Sequence, residues 1–299
     1  MSAYLKLAGL ARGMILTATI LTLSACGGEM VVSDAQFEAA DQLADAVSAN
    51  IGAAESLSLV SEIDHARLGA EAGTPMGPSR VFIFSDPELA ADLFELNPLT
   101  ALDMPLRVLV FAPADEGAPT AIANSFDYLQ SRYALPAEAS GDLRQRYENA
   151  LGAALAGISQ ELVGSFANDV MQPPGITTIA SPFDYSETIR RVVAAIDAQD
   201  DTMHFGAVDF GSPNAGEAAG HLLLFGAPGP GAKAMKNAQT LGLDGFCQRF
   251  LVWQDTSGQV FLSFNDLLAL AERQGVGKSL PLRVIDYRLT SVFEDALTP

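Results

Sequence analysis

The sequence is poor in cysteine, histidine and basic residues. Its 299 residues include two cysteines and three histidines, and 17 lysines and arginines stand against 36 aspartates and glutamates. Two cysteines exclude a scaffold held together by several disulfides. A formal net charge of −19 repels phosphate backbones, so we expect no nucleic-acid partner. Because 49% of the residues are hydrophobic and only 18% are charged, the composition excludes a disordered chain.

Signatures of common metal and catalytic sites are also missing. The three histidines, His65, His204 and His221, lack the i, i+4 spacing of metal ligands, and neither CxxC nor HExxH occurs. No GxSxG occurs either, which leaves a serine hydrolase of that class without support. We therefore predict no metal site and no cofactor. Cys247 has no second cysteine or close histidine beside it, so we interpret it as a buried apolar residue.

An apolar run near the N-terminus is too short to cross a membrane. Lys6 and Arg12 precede this run, which covers residues 14–23, whereas a membrane-spanning helix needs about 20 apolar residues. A short charged region, a short apolar region and then small residues are typical of a secretory signal. The run ends in LSAC, which resembles the lipobox of bacterial lipoproteins. We predict a lipoprotein signal peptide over residues 1–25 and lipidation at Cys26; the alternative is an ordinary signal followed by a chance cysteine.

Lipidation at Cys26 predicts a chain anchored in the cell envelope. Several acyl chains on one residue, palmitate among them, give stable anchoring, whereas one chain binds a membrane only marginally. Residues 26–32 would then form a short tether. In Gram-negative lipoproteins an aspartate after the cysteine favours the inner membrane. Gly27 follows the cysteine here, so the resemblance implies the periplasmic face of the outer membrane.

The rest of the chain contains two segments with the same order of predicted elements. Near-constant separations between similar blocks indicate a tandem duplication. The matched blocks, with their separations, are 81–87 with 222–228 (141), 102–103 with 243–244 (141) and 125–126 with 263–264 (138).

Each segment mixes helical and strand patterns. Ser33 and Asp184 have capping-box spacing and precede apolar residues at helical spacing, which predicts a helix after each of them. Runs of apolar and polar residues predict strands, and a pair of them flanks a predicted hairpin turn around residues 255–258. These patterns predict an α+β fold of two similar small domains with mainly antiparallel sheets and packed helices. The predicted domains are a first repeat over 33–135, a helical linker over 136–177, and a second repeat with a C-terminal extension over 178–299. We expect a helix over 141–167 to cross between the copies.

Short motifs in both segments resemble the domain-of-unknown-function 302 family. The first segment holds IDHA at 63–66 and LDMPLR at 102–107, and the second holds FGAP at 225–228 and SFND at 263–266. The resemblance implies small α+β domains, commonly paired as dimers, without an established activity. We therefore expect the two copies to be arranged as a pseudo-dimer, in which each small copy covers the apolar surface of the other.

Neither segment carries every polar element of that family pattern, so we treat the retained elements as one candidate ligand site. The candidates are Asp64, His65 and Arg107 in the first copy and Gly226 and Asn265 in the second. His65 is the strongest single candidate. Neighbouring residues on a strand face opposite sides, so we do not expect Asp64 to touch it. A composite site across the interface is one arrangement that this distribution allows.

Two functions fit these observations. The first is a lipid-anchored periplasmic module that binds a small ligand or a periplasmic protein and has no enzymatic activity. The alternative is a periplasmic enzyme or redox accessory that uses His65 with Arg107. No residue is assigned a catalytic role, and the ligand or reaction stays open.

Overall fold

The computed structural model describes residues 33–113, 117–138, 140–165, 175–214 and 216–299. The predicted signal peptide, Cys26 and the tether lie outside the described residues. Both repeats belong to one compact unit, Val32–Pro299. Within the described ranges, every helix is either too short or too polar to cross a membrane.

The first repeat surrounds a five-stranded sheet with helices. Its described elements, in chain order, are α1 (Asp34–Ala53), β1 (Ser58–Asp64), α2 (His65–Glu71), β2 (Ser79–Ser85), α3 (Pro87–Leu96), β3 (Leu106–Phe111), β4 (Thr120–Ala123), α4 (Phe126–Tyr133), α5 (Ser140–Ala154) and β5 (Val163–Ser165). The strand order is β1-β2-β3-β4-β5, antiparallel except for the parallel β4–β5 pair. A 3₁₀ helix, Pro98–Leu102, precedes β3.

The second repeat builds a matching sheet in the order β6-β10-β9-β8-β7, antiparallel throughout. Its described elements are β6 (Ile176–Ala180), α6 (Tyr185–Asp197), β7 (Met203–Phe210), β8 (Ala219–Gly226), α7 (Pro228–Met235), β9 (Gln248–Gln254), β10 (Val260–Asn265), α8 (Leu267–Arg273) and α9 (Leu280–Ala296). A 3₁₀ helix, Gln239–Gly242, precedes β9. The predicted α+β class with two mainly antiparallel sheets is confirmed.

Side-chain caps begin the helices and fix the alignment of the repeats. The Ser33 hydroxyl accepts from the Gln36 N–H at 3.3 Å, which satisfies one of the unpaired N–H groups at the start of α1. Ser125 caps α4 and Asp266 caps α8 in the same way. These two caps are 141 residues apart. The sequence match of Ser125 with Ser263 at a separation of 138 is therefore wrong. A separation of 141 relates β2 to β8 and α4 to α8, whereas the pairing of β2 with β3 and of β8 with β9 relates Arg107 to Arg249 at a separation of 142.

Alternation along β8 explains how the repeats share a core. Leu222 and Leu224 point to one face of the second sheet and pack with buried residues of the first repeat. Leu223 and Phe225 point to the other face and pack with α6 and α9. Burying a side chain of this size contributes about 1.5–3 kcal/mol. The second sheet thus lies between the first repeat and its own helices.

Exchanged contacts join the two repeats. Each 3₁₀ helix contacts the sheet of the other repeat: Pro98–Leu102 contacts β8 and β9, and Gln239–Gly242 contacts β2 and β3. The Gln239 amide donates to the carbonyls of Pro78 at 3.1 Å and Ala112 at 2.9 Å. The paired arrangement therefore rests on hydrogen bonds as well as on apolar packing.

The helix predicted over 141–167 ends earlier than expected. Gly157 adopts a φ of +71°, a left-handed conformation that ends the helical path three residues beyond α5, and Val163–Ser165 forms β5. The helix does not cross between the copies. It packs against α1, α3 and α4 of the first repeat, where Asn50 donates to the Ala156 carbonyl at 2.8 Å.

Candidate functional site

His65 and Gly226 line one cleft between the two repeats. His65 begins α2 directly after β1, and Gly226 ends β8. Gly242, in the 3₁₀ helix of the second repeat, lies so close that a Cβ there would stand 3.1 Å from His65 Cδ2. Other lining side chains are largely apolar and include Leu68, Phe205, Met235, Phe246 and Cys247. The cleft therefore presents one imidazole in an apolar wall.

His65 contributes an unused hydrogen-bonding atom to this wall. The residue is 7% exposed, and its buried Nε2 has no hydrogen-bond partner among the described residues. Burial lowers the pKa of His65 to about 4, and an interaction with the Gly242 backbone only partly opposes this effect by raising the pKa. The neutral ring carries its proton on one of its two nitrogens, and Nε2 is a hydrogen-bond acceptor when the proton is on Nδ1.

Cys247 is a buried wall residue of the same cleft, as the sequence predicts. Burial raises the pKa of its thiol to about 12, although the nearby Arg107 charge acts in the opposite direction. The thiol is therefore protonated at neutral pH, and a thiolate nucleophile has no support here.

Asp64 belongs to a separate ion cluster outside the cleft lining. Its carboxylate caps α2 by accepting from the Arg67 N–H at 2.9 Å, and it also binds the Arg67 and Arg80 guanidiniums. Asp41 binds the same two arginines, at 2.6 and 2.9 Å. The hydrogen bond from Arg67 is the main cause of the lowered pKa of Asp41. Asp64 is thus a helix cap and an ion-pair partner.

Arg107 is committed to a buried carboxylate. Its Nη2 donates to Asp103 Oδ1, and the two side chains are 5% and 3% exposed. Arg132 Nη1 donates to Asp103 Oδ2 at 2.7 Å, and the Tyr133 hydroxyl donates to the same oxygen at 2.8 Å. Burial opposes the charge on Asp103, but Arg132 and Arg107 outweigh it and hold its pKa well below the usual range.

Asn265 connects this network to the second repeat. Its Oδ1 accepts from Arg132 Nη2 at 2.7 Å. The second repeat makes the equivalent contact with the first repeat. Arg273 Nη2 donates to Asn124 Oδ1 at 2.8 Å, and Arg273 Nη1 donates to Asp244 Oδ2 at 2.6 Å. The pairs Arg132 and Arg273, Asn124 and Asn265, and Asp103 and Asp244 are each 141 residues apart.

The five predicted site residues thus fall into three places. His65 and Gly226 share the cleft, Arg107 and Asn265 share the buried network, and Asp64 lies in the ion cluster. Sequence reasoning missed the network residues Asn124, Arg132, Asp244, Arg249 and Arg273 as a group. Identical residue types recurring at a separation of 141 were the signal that could have found most of them.

Two predicted properties of the site involve lipid and metal. Cys26 lies outside the described residues, so its lipidation stays a prediction. Within the described ranges, no group of three or more histidine, cysteine, aspartate or glutamate residues is arranged to hold a metal ion.

The chain belongs to the family described as "Domain of unknown function DUF302", which it matches twice, over residues 31–154 and 177–295. The first match includes α5, in agreement with the packing of that helix on the first repeat. A solved structure described as an uncharacterized conserved protein DUF302 from Bacillus stearothermophilus covers 42% of this chain and 98% of its own length. That comparison gives 12% identity and a TM-score of 0.35.

Similar curated proteins carry the name of a fluoride channel. "Fluoride-specific ion channel FluC 1" of Brucella suis biovar 1 is 36% identical over 109 residues, which are 35% of this chain and 42% of that protein. "Fluoride-specific ion channel FluC 2" of Brucella melitensis biotype 1 is 36% identical over 109 residues and is covered to 40%. The chain therefore spans less than half the length of these relatives.

Proposed function

We propose that this protein is a lipid-anchored periplasmic module that binds a small molecule in the cleft between its two repeats. The observation that carries the proposal is His65 Nε2, a buried nitrogen with no hydrogen-bond partner in the described part of the chain, on a residue that lines an otherwise apolar cleft. A buried polar atom left unpaired costs about 1–3 kcal/mol. A ligand that supplies the missing hydrogen bond recovers this loss on binding.

The wall specifies the chemistry of the ligand. Small-molecule sites combine apolar surroundings with a few placed polar groups. Leu68, Phe205, Met235 and Phe246 favour an apolar or aromatic body. His65 is neutral at pH 7 because its pKa is about 4, so it offers no positive charge to an anion. With the imidazole proton on Nδ1, the matching ligand has a hydroxyl or N–H group that donates to Nε2.

Anchoring through Cys26 is the second part of the proposal. The acylated cysteine and the tether over residues 26–32 would hold the module at the periplasmic face of the outer membrane. Removal of the signal peptide takes away Lys6 and Arg12 and no acidic residue, which makes the chain still more acidic. Such a charge is repelled by anionic headgroups, so the folded module stands off the membrane surface.

The alternative, an enzyme or redox accessory using His65 with Arg107, has less support. Arg107 is engaged by Asp103, and the Cys247 thiol beside His65 is protonated at neutral pH. The named activity of the fluoride channel relatives is not carried over, because the match covers only 35% of this chain. A periplasmic protein that inserts a side chain into the cleft is a second candidate ligand.

Native mass spectrometry of the membrane-extracted chain tests the proposal. The wild-type chain is expected to carry an added small mass that unfolding releases. His65→Phe should lose this mass, because it removes Nε2 and keeps an aromatic ring; the second repeat has Phe210 at the equivalent position. His204→Gln, at a partly exposed histidine, should retain it. Equal added mass in wild type and His65→Phe counts against the cleft.

A further inference from the structure

Arg107 and Arg249 hold the same position in the two repeats and converge on one carboxylate. They are the second residues of β3 and β9. Arg107 Nη2 donates to Asp103 Oδ1, and Arg249 Nη1 lies 3.7 Å from the same oxygen. Arg132 binds the other oxygen of Asp103. One buried carboxylate thus faces three guanidinium groups.

The N–H groups of this pair are incompletely used. Arg107 Nη1 and both Nε and Nη1 of Arg249 have no hydrogen-bond partner among the described residues, and the two side chains are only 5% and 2% exposed. A guanidinium keeps its charge even when buried. Buried charges are costly unless they are paired, and like charges that approach each other repel. This half of the network therefore lacks negative charge.

A small cavity lies next to Arg249. Its lining includes Arg249, Gln248, Gly245 and Asn265, and the buried Nε2 of Gln248 also has no partner in the described part of the chain. Asp244 lines the same cavity, but its carboxylate already accepts from Arg273 and Gln274. Two neighbouring residues of β9 that carry unused donors thus line a space whose lining carboxylate, Asp244, is already engaged by other residues.

We infer that this cavity binds one small inorganic anion, which Arg249 and Gln248 hold through N–H groups and Arg107 attracts through its charge. An anion would supply both the missing acceptors and the missing negative charge. Hydrogen bonds between a guanidinium and an anion are among the strong ones. The site shares no lining residue with the proposed His65 cleft, so either site can fail without the other.

Thermal unfolding of the purified chain tests the inference. The buffer contains gluconate at fixed ionic strength, and gluconate is replaced stepwise by fluoride, chloride or nitrate. Binding to the folded state raises the Tm in a saturable way. Arg249→Met should lose this rise, with an apparent affinity at least about tenfold weaker, whereas Arg190→Met, at a side chain that is 67% exposed, should keep it.

The Tm of Arg249→Met in gluconate buffer, compared with that of the wild type, gives a second test of the inference. Because Arg249 is an incompletely paired buried charge, its replacement by an apolar residue of similar length should keep or raise the Tm in gluconate buffer. An absent Tm response of the wild type to all three anions would overturn the inference. A response of equal size in Arg249→Met would overturn it too.

A variant that fails to fold does not end the test. Chloride-35 line broadening by the wild-type chain, displaced by fluoride or nitrate, reports binding directly. Gln248→Leu removes the second donor, leaves the charges in place and should weaken chloride at least severalfold. Absence of displaceable broadening, or unchanged chloride affinity in Gln248→Leu together with unchanged affinity in Arg249→Met, contradicts the proposed site.

Discussion

Arg132 and Arg273 occupy equivalent positions in the two repeats and reach across the interface in opposite directions. Arg132 donates to Asn265 at 2.7 Å and Arg273 donates to Asn124 at 2.8 Å, and each arginine also binds the buried aspartate of its own repeat. Hydrogen bonds in a low-dielectric interior are strong when satisfied and costly when broken. This exchange therefore fixes how the two copies pair, beyond what apolar packing alone specifies.

Removing one exchanged arginine should destabilise the whole unit. Arg273→Met deprives Asp244 of its ion-pair partner in a place where the two side chains are 3% and 0% exposed. Breaking a buried pair costs about 3–5 kcal/mol, measured as the free energy of unfolding in urea. Arg190→Met, which breaks an exposed pair, should cost no more than about 1 kcal/mol. Equal losses in the two variants would argue against a structural role for the exchange.

Alanine substitutions at two glycines should change the stability in opposite directions, because only one of them lies in the contact between α2 and α7. A Cβ on Gly69 would lie 2.5 Å from Ala232 Cβ across the repeat interface, whereas a Cβ on Gly52 would meet nothing within 4 Å. Gly69→Ala should therefore cost about 1–3 kcal/mol through overpacking. Gly52→Ala, near the end of α1, should leave stability unchanged or raise it by up to about 1 kcal/mol. Urea unfolding of both variants checks the sign.

His65 should make stability depend on pH in a defined window. Its folded-state pKa is about 4, below the ordinary value of 6.5, so the unfolded chain binds the proton more readily. Stability should therefore fall as pH decreases from about 6.5 to about 4, by on the order of 3 kcal/mol from this group.

A comparison of variants isolates this effect from the titration of other groups. His65→Phe should flatten the difference in unfolding free energy between pH 6.5 and 4.5, measured in urea. His204→Gln, at a histidine paired with Asp197 on the surface, should leave that difference as in wild type. A pH dependence that His65→Phe does not reduce would show that His65 titrates normally.

The proposed membrane anchor is tested at Cys26. Cys26→Ser removes the thiol that we propose is acylated, so the chain should move entirely to the soluble fraction of a carbonate wash. Cys247→Ala, at the buried cysteine, should leave the chain in the membrane fraction. Retention of Cys26→Ser in membranes would point to another anchor.

Local patterns predicted the fold class and many of its elements. Capping residues such as Ser33 and Asp184 begin helices where the sequence indicated, and the hairpin around residues 255–258 joins β9 to β10. Helices α2 and α9 were missed. The first turn of α2 depends on Asp64, which also ends a strand, and α9 follows a Pro-containing start after Ser279. The local sequence at such positions is compatible with more than one secondary structure, and tertiary packing determines which one forms.

The candidate site was only partly predictable for a related reason. His65 and Gly226 are distant in sequence, and the duplication suggested that they could meet across an interface. The buried network depends on which polar side chains face that interface. Hydrophobic periodicity indicates which apolar residues are buried, but it does not indicate whether an arginine is buried. Arg107 was selected as a ligand residue, whereas its partner Asp103, which determines what Arg107 does, was read only as part of a repeat motif.

Ligand-observed NMR, with a library of small aromatic alcohols and amines against the purified chain, tests the central claim most directly. The account predicts that a subset binds wild type and His204→Gln alike and loses at least about tenfold in affinity to His65→Phe. The compounds that bind should carry an O–H or N–H donor, while matched methyl ethers should not bind. If no compound binds, or if His65→Phe retains the same compounds with the same affinity, the cleft between the repeats is not a binding site of this kind.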